Sequence, residues 1–287
     1  MRGEATSIRT ADGRRLVGRW YRPRGAAAET LVLHGATGLR QSFYRPFAEW
    51  LARERDIACL TYDYRDFGES LERDIRFSDA TFLDWGLKDQ AAALAHGVAS
   101  ARRGRVRVLG HSLGGFFLNR HAASEQVDHA AAVGSGEGNF LTLPPYLMPA
   151  SIAFWFGHGP ALTAMFGYLP GRLSGFGSDL PAGVYWEWRR WCVEPYYSRM
   201  ATPPPISFTA APPFPIRLIG IEDDPLITPY GVRRLERRYD SHPIEHRLLR
   251  AEAFGLPRLG HIGPFVASNA AVWPAIVDYE ARARRAA

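Results

Sequence analysis

The sequence predicts an α/β fold, a mostly parallel, doubly wound sheet with an inserted helical cap. Three observations carry that prediction. Short apolar runs alternate with stretches of helical spacing over the first 136 residues, the pattern of parallel strands covered by helices on both faces. Between 137 and 206 Pro, Gly and aromatic residues dominate, and no convincing strand appears. Strand-like runs then resume. At 287 residues the chain is long for one core and short for two, so the expected division is a core of 1–136 plus 207–287 and a cap of 137–206.

The elements follow in order. Residues 5–10 and 15–21, separated by Asp12-Gly13, read as a hairpin. Thr30-Leu31-Val32-Leu33 is a short strand of the kind buried on both faces, and it empties into the loop His34-Gly35-Ala36-Thr37-Gly38. Phe43, Phe47, Trp50 and Leu51 have helical spacing. Ile57 to Tyr62 is the next strand, and Phe82 to Val98 a helix with Asp84 near its start. Val106 to Leu109 is a strand that breaks at Gly110-His111-Ser112-Leu113-Gly114-Gly115 and is expected to continue as an apolar helix through Phe116, Phe117 and Leu118. Ala130 to Ser135 adds one more strand. Helix-like runs at Ala150–Phe156 and Pro181–Cys192 lie in the insertion, between Leu143-Pro144-Pro145 and Thr202-Pro203-Pro204-Pro205. Strands at 216–220 and 246–249 enclose a helix at Tyr230–Arg238, and a helix from Ala267 to Arg284 closes the chain, its Arg- and Ala-rich end after Tyr279 expected to be disordered.

Composition narrows the function. The net charge of +6 comes from arginines scattered along the chain, with Lys88 the only lysine, so a solvated basic surface is expected and no nucleic acid partner. The N-terminus lacks the apolar core of a signal peptide, and no stretch of 18 apolar residues occurs; a cytoplasmic protein without a membrane span is expected. Cys59 and Cys192 are too few for a disulfide framework or a zinc site, and no metal is expected.

The chemistry is concentrated in the Gly-x-Ser-x-Gly pattern at 110–114. Between a strand and a turn, this spacing pushes the serine hydroxyl out at the end of a sheet. Chance supplies such a pattern in roughly one chain of seven at these Gly and Ser frequencies, so the other parts must be found. Serine needs an adjacent base, and the base an orienting acid, in the chain order Ser, acid, His. Strand 216–220 empties into Glu222-Asp223-Asp224-Pro225, and the strand at 246–249 is followed by Leu259-Gly260-His261. His261 is therefore the candidate base. Asp224, directly before Pro225 and several residues past the strand, is the preferred acid, with Asp223 the alternative. Backbone N–H groups of Leu113 and Ala36 are the candidate oxyanion donors. His34 reads as a hydrogen-bonded residue at a strand end and His111 as a packing residue.

Taken together, Leu33-His34-Gly35, Asp63-Tyr64-Arg65-Asp66-Phe67-Gly68-Glu69-Ser70, Gly110 to Gly115, Asp224 and Gly260-His261 make the chain resemble the α/β-hydrolase superfamily over 1–136 and 207–287. The insertion, with Asp179 to Tyr185 and Trp188 to Cys192, resembles that of a bacterial subgroup whose substrates are mostly unassigned. The resemblance implies an α/β-hydrolase fold, a Ser112–Asp224–His261 triad, an oxyanion hole from Leu113 and Ala36, no cofactor, and a cap over the pocket. Asp66 stands where many relatives place glycine, and Asp is among the residues that tolerate unusual backbone angles. The expected activity is that of a serine hydrolase, carboxylesterase-like, acting on a small-molecule ester with an apolar acyl or aryl group, with an amide or thioester less favoured. Trp155, Tyr185 and Trp186 are candidates for the pocket wall. Two other readings stand beside it: an acyltransferase or thioesterase-like biosynthetic enzyme with the same triad, and a non-catalytic binding protein on the same fold. Oligomeric state is open, a homodimer included.

Overall fold

A computed structural model describes residues 3–101, 104–194, 213–239 and 241–278. Eight strands form one sheet, β1 (Glu4–Arg9), β2 (Arg15–Tyr21), β3 (Glu29–His34), β4 (Ile57–Tyr62), β5 (Arg105–His111), β6 (His129–Val133), and the strands Ile216–Ile221 and Ile244–Leu249, in the order β1, β2, β4, β3, β5, β6, Ile216–Ile221, Ile244–Leu249. The first two strands pair antiparallel as the Asp12-Gly13 hairpin requires, Gly13 taking φ +85°. From β4 onward every neighbouring pair is parallel. All residues of β3, β4 and Ile216–Ile221 are buried, as expected of strands covered on both faces.

The covering helices start where local chemistry lets them. Helix α1 (Arg45–Glu54) carries Pro46 in its first turn and buries Phe47, Ala48, Leu51 and Ala52. A π-helical stretch, Asp84–Asp89, leads into α2 (Gln90–Ser100). It begins with a capping box: the Asp84 carboxylate accepts from the Thr81 N–H at 3.0 Å, and the Thr81 hydroxyl accepts from the Asp84 N–H at 3.1 Å.

The expected helix through Phe116–Leu118 does not form. Ser112–Gly115 is a single 3₁₀ turn, and only another 3₁₀ turn, Ala122–Gln126, follows before β6. The reason is burial: Phe116, Phe117, Leu118 and Asn119 are all buried, whereas a helix buries one stripe. The backbone groups find tertiary partners instead. Tyr239 Oη donates to the Gly115 carbonyl at 2.6 Å, and the Ser124 hydroxyl donates to the Leu118 carbonyl at 2.8 Å.

Residues 137–194 carry α3 (Met148–Ile152), a π-helical stretch (Ala153–His158), α4 (Gly159–Phe166), α5 (Gly171–Ser174) and α6 (Ala182–Val193). Contrary to the strand-free expectation, β7 (Tyr168–Leu169) pairs antiparallel with β8 (Leu180–Pro181). The core resumes with β9 (Ile216–Ile221), α7 (Pro229–Glu236), β10 (Ile244–Leu249) and α8 (Trp273–Val277). The closing helix is thus shorter than expected, Ala267–Val272 being 3₁₀. The Pro-rich stretch 202–205 and the tail after 278 lie outside the described residues. Among those described, no helix is long and apolar enough to cross a membrane.

The loop after β4 is held by a buried ion pair. Arg65 donates from Nε to Asp89 Oδ1 at 2.7 Å and from its backbone N–H to Asp89 Oδ2 at 2.8 Å, and its outer nitrogens reach Asp12. The next residue, Asp66, sits at φ +55°, the conformation for which glycine is usually chosen, and its carboxylate holds Arg14 and Ser78. Removing Asp89 takes two buried acceptors from Arg65 and leaves it only the partly exposed Asp12, so Asp89→Ala is expected to cost about 3 kcal/mol in urea unfolding, against under about 1 kcal/mol for Arg15→Ala, which loses only an exposed pair with Glu72.

Candidate active site

Parallel strands put the loops at their C-terminal ends along one edge, and the chemistry-bearing residues come from the loops after β3, β5, β6, β9 and β10. Ser112 directly follows β5 at φ +54°, a strained conformation for a side chain with a Cβ. The strain persists because the surroundings leave the backbone no room to relax. A Cβ on Gly110 would overlap the Gly114 backbone, and one on Gly114 would overlap the His34 carbonyl, so the turn is pressed against the end of β3.

The acid and the imidazole meet across 37 residues of sequence. Asp224 Oδ2 lies 2.7 Å from His261 Nδ1, and Oδ1 accepts from the N–H groups of Leu226 at 2.8 Å and Ile227 at 3.0 Å. The carboxylate is fully buried and its orientation is set by those two amides. Asp223 turns the other way. Its two oxygens accept from the N–H groups of Leu259 and Gly260, both at 2.9 Å, and so fasten the loop that carries His261. The Asp–His pair lies over the end of β6, where a Cβ on Gly134 would stand 3.4 Å from Asp224 Oδ2 and 3.5 Å from His261 Cε1.

Ser112 and Leu113 line a cavity of about 350 Å³. One wall is aromatic, with Phe82, Phe116, Trp188 and Trp191; the other carries the Glu137–Arg234 ion pair at 2.6 Å and Tyr230. Cys192 also lines it, and burial pushes its thiol up to about 12, which keeps it a neutral, apolar surface. Among the described residues no group of three or more His, Cys, Asp and Glu side chains could hold a metal ion.

Two of the expected placements differ in the structure. The Ala36 N–H does not face the cavity: it donates to the buried Tyr44 hydroxyl at 2.8 Å, and Thr37, one residue on, lines the cavity beside Ser112 and Leu113. The wall aromatics differ from those expected. Trp155 stacks on the fully buried Tyr185 inside the cap, centroids 6.2 Å apart, and Trp186 is on the outer side of α6 at 38% exposure. Trp188 and Trp191 supply the wall instead, three residues apart on one face of α6. Helical spacing offered that stripe in the sequence, but not which side of the helix faced the core. His111, finally, is hydrogen-bonded through both ring nitrogens, to Tyr44 Oη at 2.9 Å and to the His261 carbonyl at 3.0 Å. His34, in contrast, is held at a strand end by Tyr62 Oη at 2.7 Å, and burial drives its basicity well down.

A family model described as alpha/beta hydrolase family matches residues 30–275. No curated protein matches the sequence closely enough to count as a relative. Solved structures with similar folds include a thermophilic esterase from Thermogutta terrifontis (14% identity, TM-score 0.55, 95% of this chain and 96% of that one). An esterase from Pyrococcus furiosus aligns at 17% identity and TM-score 0.55 over 95% and 90% of the two chains. The enol-lactonase from Burkholderia xenovorans LB400 aligns at 17% identity and TM-score 0.56 over 96% and 98%.

Because Asp223 accepts from two backbone amides of the loop that carries His261, Asp223→Ala removes both acceptors. A loss of about 1–3 kcal/mol is expected in thermal or urea unfolding, with Asp223→Asn retaining part of it.

Proposed function

We propose, from the premise that the chain belongs to the alpha/beta hydrolase family, that it is a serine hydrolase cleaving a carboxylic ester with an apolar acyl or aryl group through an acyl-enzyme on Ser112. The observation that carries the reading is the 2.7 Å contact of Asp224 with His261 Nδ1, at the same sheet edge as a serine held at positive φ on a cavity. With Nδ1 given to the acid, Nε2 is the nitrogen left to take the Ser112 proton. Ser112 Oγ then bonds to the ester carbonyl carbon, and the oxyanion that forms is met by backbone N–H groups of Leu113 and, in place of Ala36, Thr37. Collapse breaks the bond to the alcohol, which leaves with the proton held on His261. A water molecule, deprotonated by the same imidazole, adds to the acyl carbonyl, and collapse breaks the bond to Ser112 Oγ, which takes the proton back from His261 as the acid leaves.

The aromatic wall supports an apolar acyl or aryl group, since a flat ring or chain laid on Phe116, Trp188 and Trp191 leaves water without losing hydrogen bonds. Neighbours of the same fold named as esterases and as a lactonase are consistent with this reading, a lactone being a cyclic ester.

Several measurements test this. Wild-type protein is expected to hydrolyse p-nitrophenyl esters and to be labelled on Ser112 by a fluorophosphonate; a Ser112→Ala protein with full activity overturns the mechanism. Asp224→Asn is expected to lower kcat by about 10⁴-fold while leaving KM within a few fold. Trp188→Ala and Trp191→Ala are expected to weaken kcat/KM for long or aromatic acyl groups by about 10-fold or more, with acetyl esters little changed. Product analysis with added alcohol separates hydrolysis from acyl transfer.

A further inference from the structure

The mechanism above leaves two buried residues unused, Tyr44 and His111, and they are joined to three of the loops that form the site. The Ala36 N–H lies 2.8 Å from Tyr44 Oη, Tyr44 Oη lies 2.9 Å from His111 Nδ1, and His111 Nε2 lies 3.0 Å from the carbonyl of His261. Three loops are thus tied to one another: the one after β3, the nucleophile turn and the base loop.

The direction of every bond in this chain is forced. A carbonyl only accepts, so the proton must sit on His111 Nε2. Burial keeps this imidazole neutral, depressing its pKa to about 3, with the neighbouring His261 charge adding to the effect. A neutral ring with its proton on Nε2 accepts at Nδ1, so Tyr44 must donate its hydroxyl proton there. The Tyr44 oxygen is then left to accept from Ala36. No member can reverse without leaving a buried polar atom unpaired, and the exclusion of water strengthens each link. Phe265 closes the surroundings, its ring 5.3 Å from that of Tyr44 and 4.8 Å from that of His111, and Phe47 packs behind it at 5.3 Å.

Tyr44 itself is placed independently of the site. It ends the 3₁₀ turn Gln41–Tyr44, whose first N–H donates to Asp63 at 2.7 Å, and the Gln41 side-chain amide donates to the Val17 carbonyl at 3.0 Å. The chain therefore hangs from the rigid end of the sheet.

We propose that Tyr44 and His111 are positioning residues that hold the base loop and the oxyanion loop in register with Ser112 through this one-directional hydrogen-bond chain. The link through Ala36 also explains why the second oxyanion donor moves to Thr37: the Ala36 amide is spent on Tyr44. The inference rests on the reading of Ser112 as nucleophile and His261 as base.

The test compares the wild type with Tyr44→Phe, His111→Gln and His111→Asn by kcat and KM on a p-nitrophenyl ester, fluorophosphonate labelling of Ser112, and thermal unfolding. Gln can place an N–H near the old Nε2 and keep the link to the His261 carbonyl, whereas the shorter Asn reaches only toward Tyr44. Displacing reacting groups by a fraction of an ångström lowers kcat without weakening substrate binding, so Tyr44→Phe is expected to lose about 10- to 100-fold in kcat with KM within about twofold. Gln is expected to retain several-fold more kcat than Asn. Tyr44→Phe with wild-type kcat, whatever its melting temperature, overturns the proposal, as does equal activity of the two His111 variants. Wild-type protein that neither turns over the ester nor takes the label on Ser112 overturns the underlying reading instead, and that outcome is read before any variant is compared.

Discussion

The constraint on which the rest depends is the close approach of the turn after β5 to the end of β3. Gly114 lies so near the His34 carbonyl that no side chain fits between them, and Gly110 is equally confined by the turn folding back on itself. Within this close approach Ser112 takes φ +54°, and the residue before it, His111, points inward to Tyr44 and the carbonyl of His261. A strained backbone persists only where its neighbours over-determine it. Here they do so from three sides, through β3, β6 and the buried Tyr239 that caps the Gly115 carbonyl.

Around that turn the molecule places neutral histidines where a positive charge could have been expected. His34, His111 and His121 are all buried, and burial drives the basicity of each well down. A neutral imidazole is both donor and acceptor, which an ammonium or a carboxylate is not, so His111 can join Tyr44 to the His261 carbonyl. His261, by contrast, keeps an opening to solvent, with its side chain 12% exposed, and holds the one contact to a carboxylate among these histidines. Two adjacent acids are likewise divided by geometry: Asp224 faces the imidazole, and Asp223 faces the backbone of the loop that carries it.

The aromatic segment shows why composition alone misleads about a pocket. Its tryptophans look equivalent in sequence, yet Trp155 stacks on the buried Tyr185 while Trp188 and Trp191 line the cavity. A stacked pair inside a layer removes its faces from any ligand. Residues such as Trp191, packed against Phe82 and Phe116, keep a face toward the open space.

The sheet, the tight turn at Ser112 and the loops bearing Asp224 and His261 were legible along the chain, because strand burial, glycine punctuation and chain order are local properties. Asp224 could be preferred over Asp223 from its distance past β9 and the proline after it. Other features were not legible. The segment 116–121 has helical composition, but four consecutive buried residues and tertiary partners for their backbone outweigh propensity. The capture of the Ala36 amide by Tyr44 depends on a hydroxyl eight residues away whose reach is set by a turn anchored on Asp63. The amino-acid order thus determined which chemical groups the protein carries and at which end of the sheet they gather. Only the tertiary structure decided which amide, which carboxylate and which aromatic faces are turned toward the cavity, because those choices are made by contacts between segments far apart in the chain.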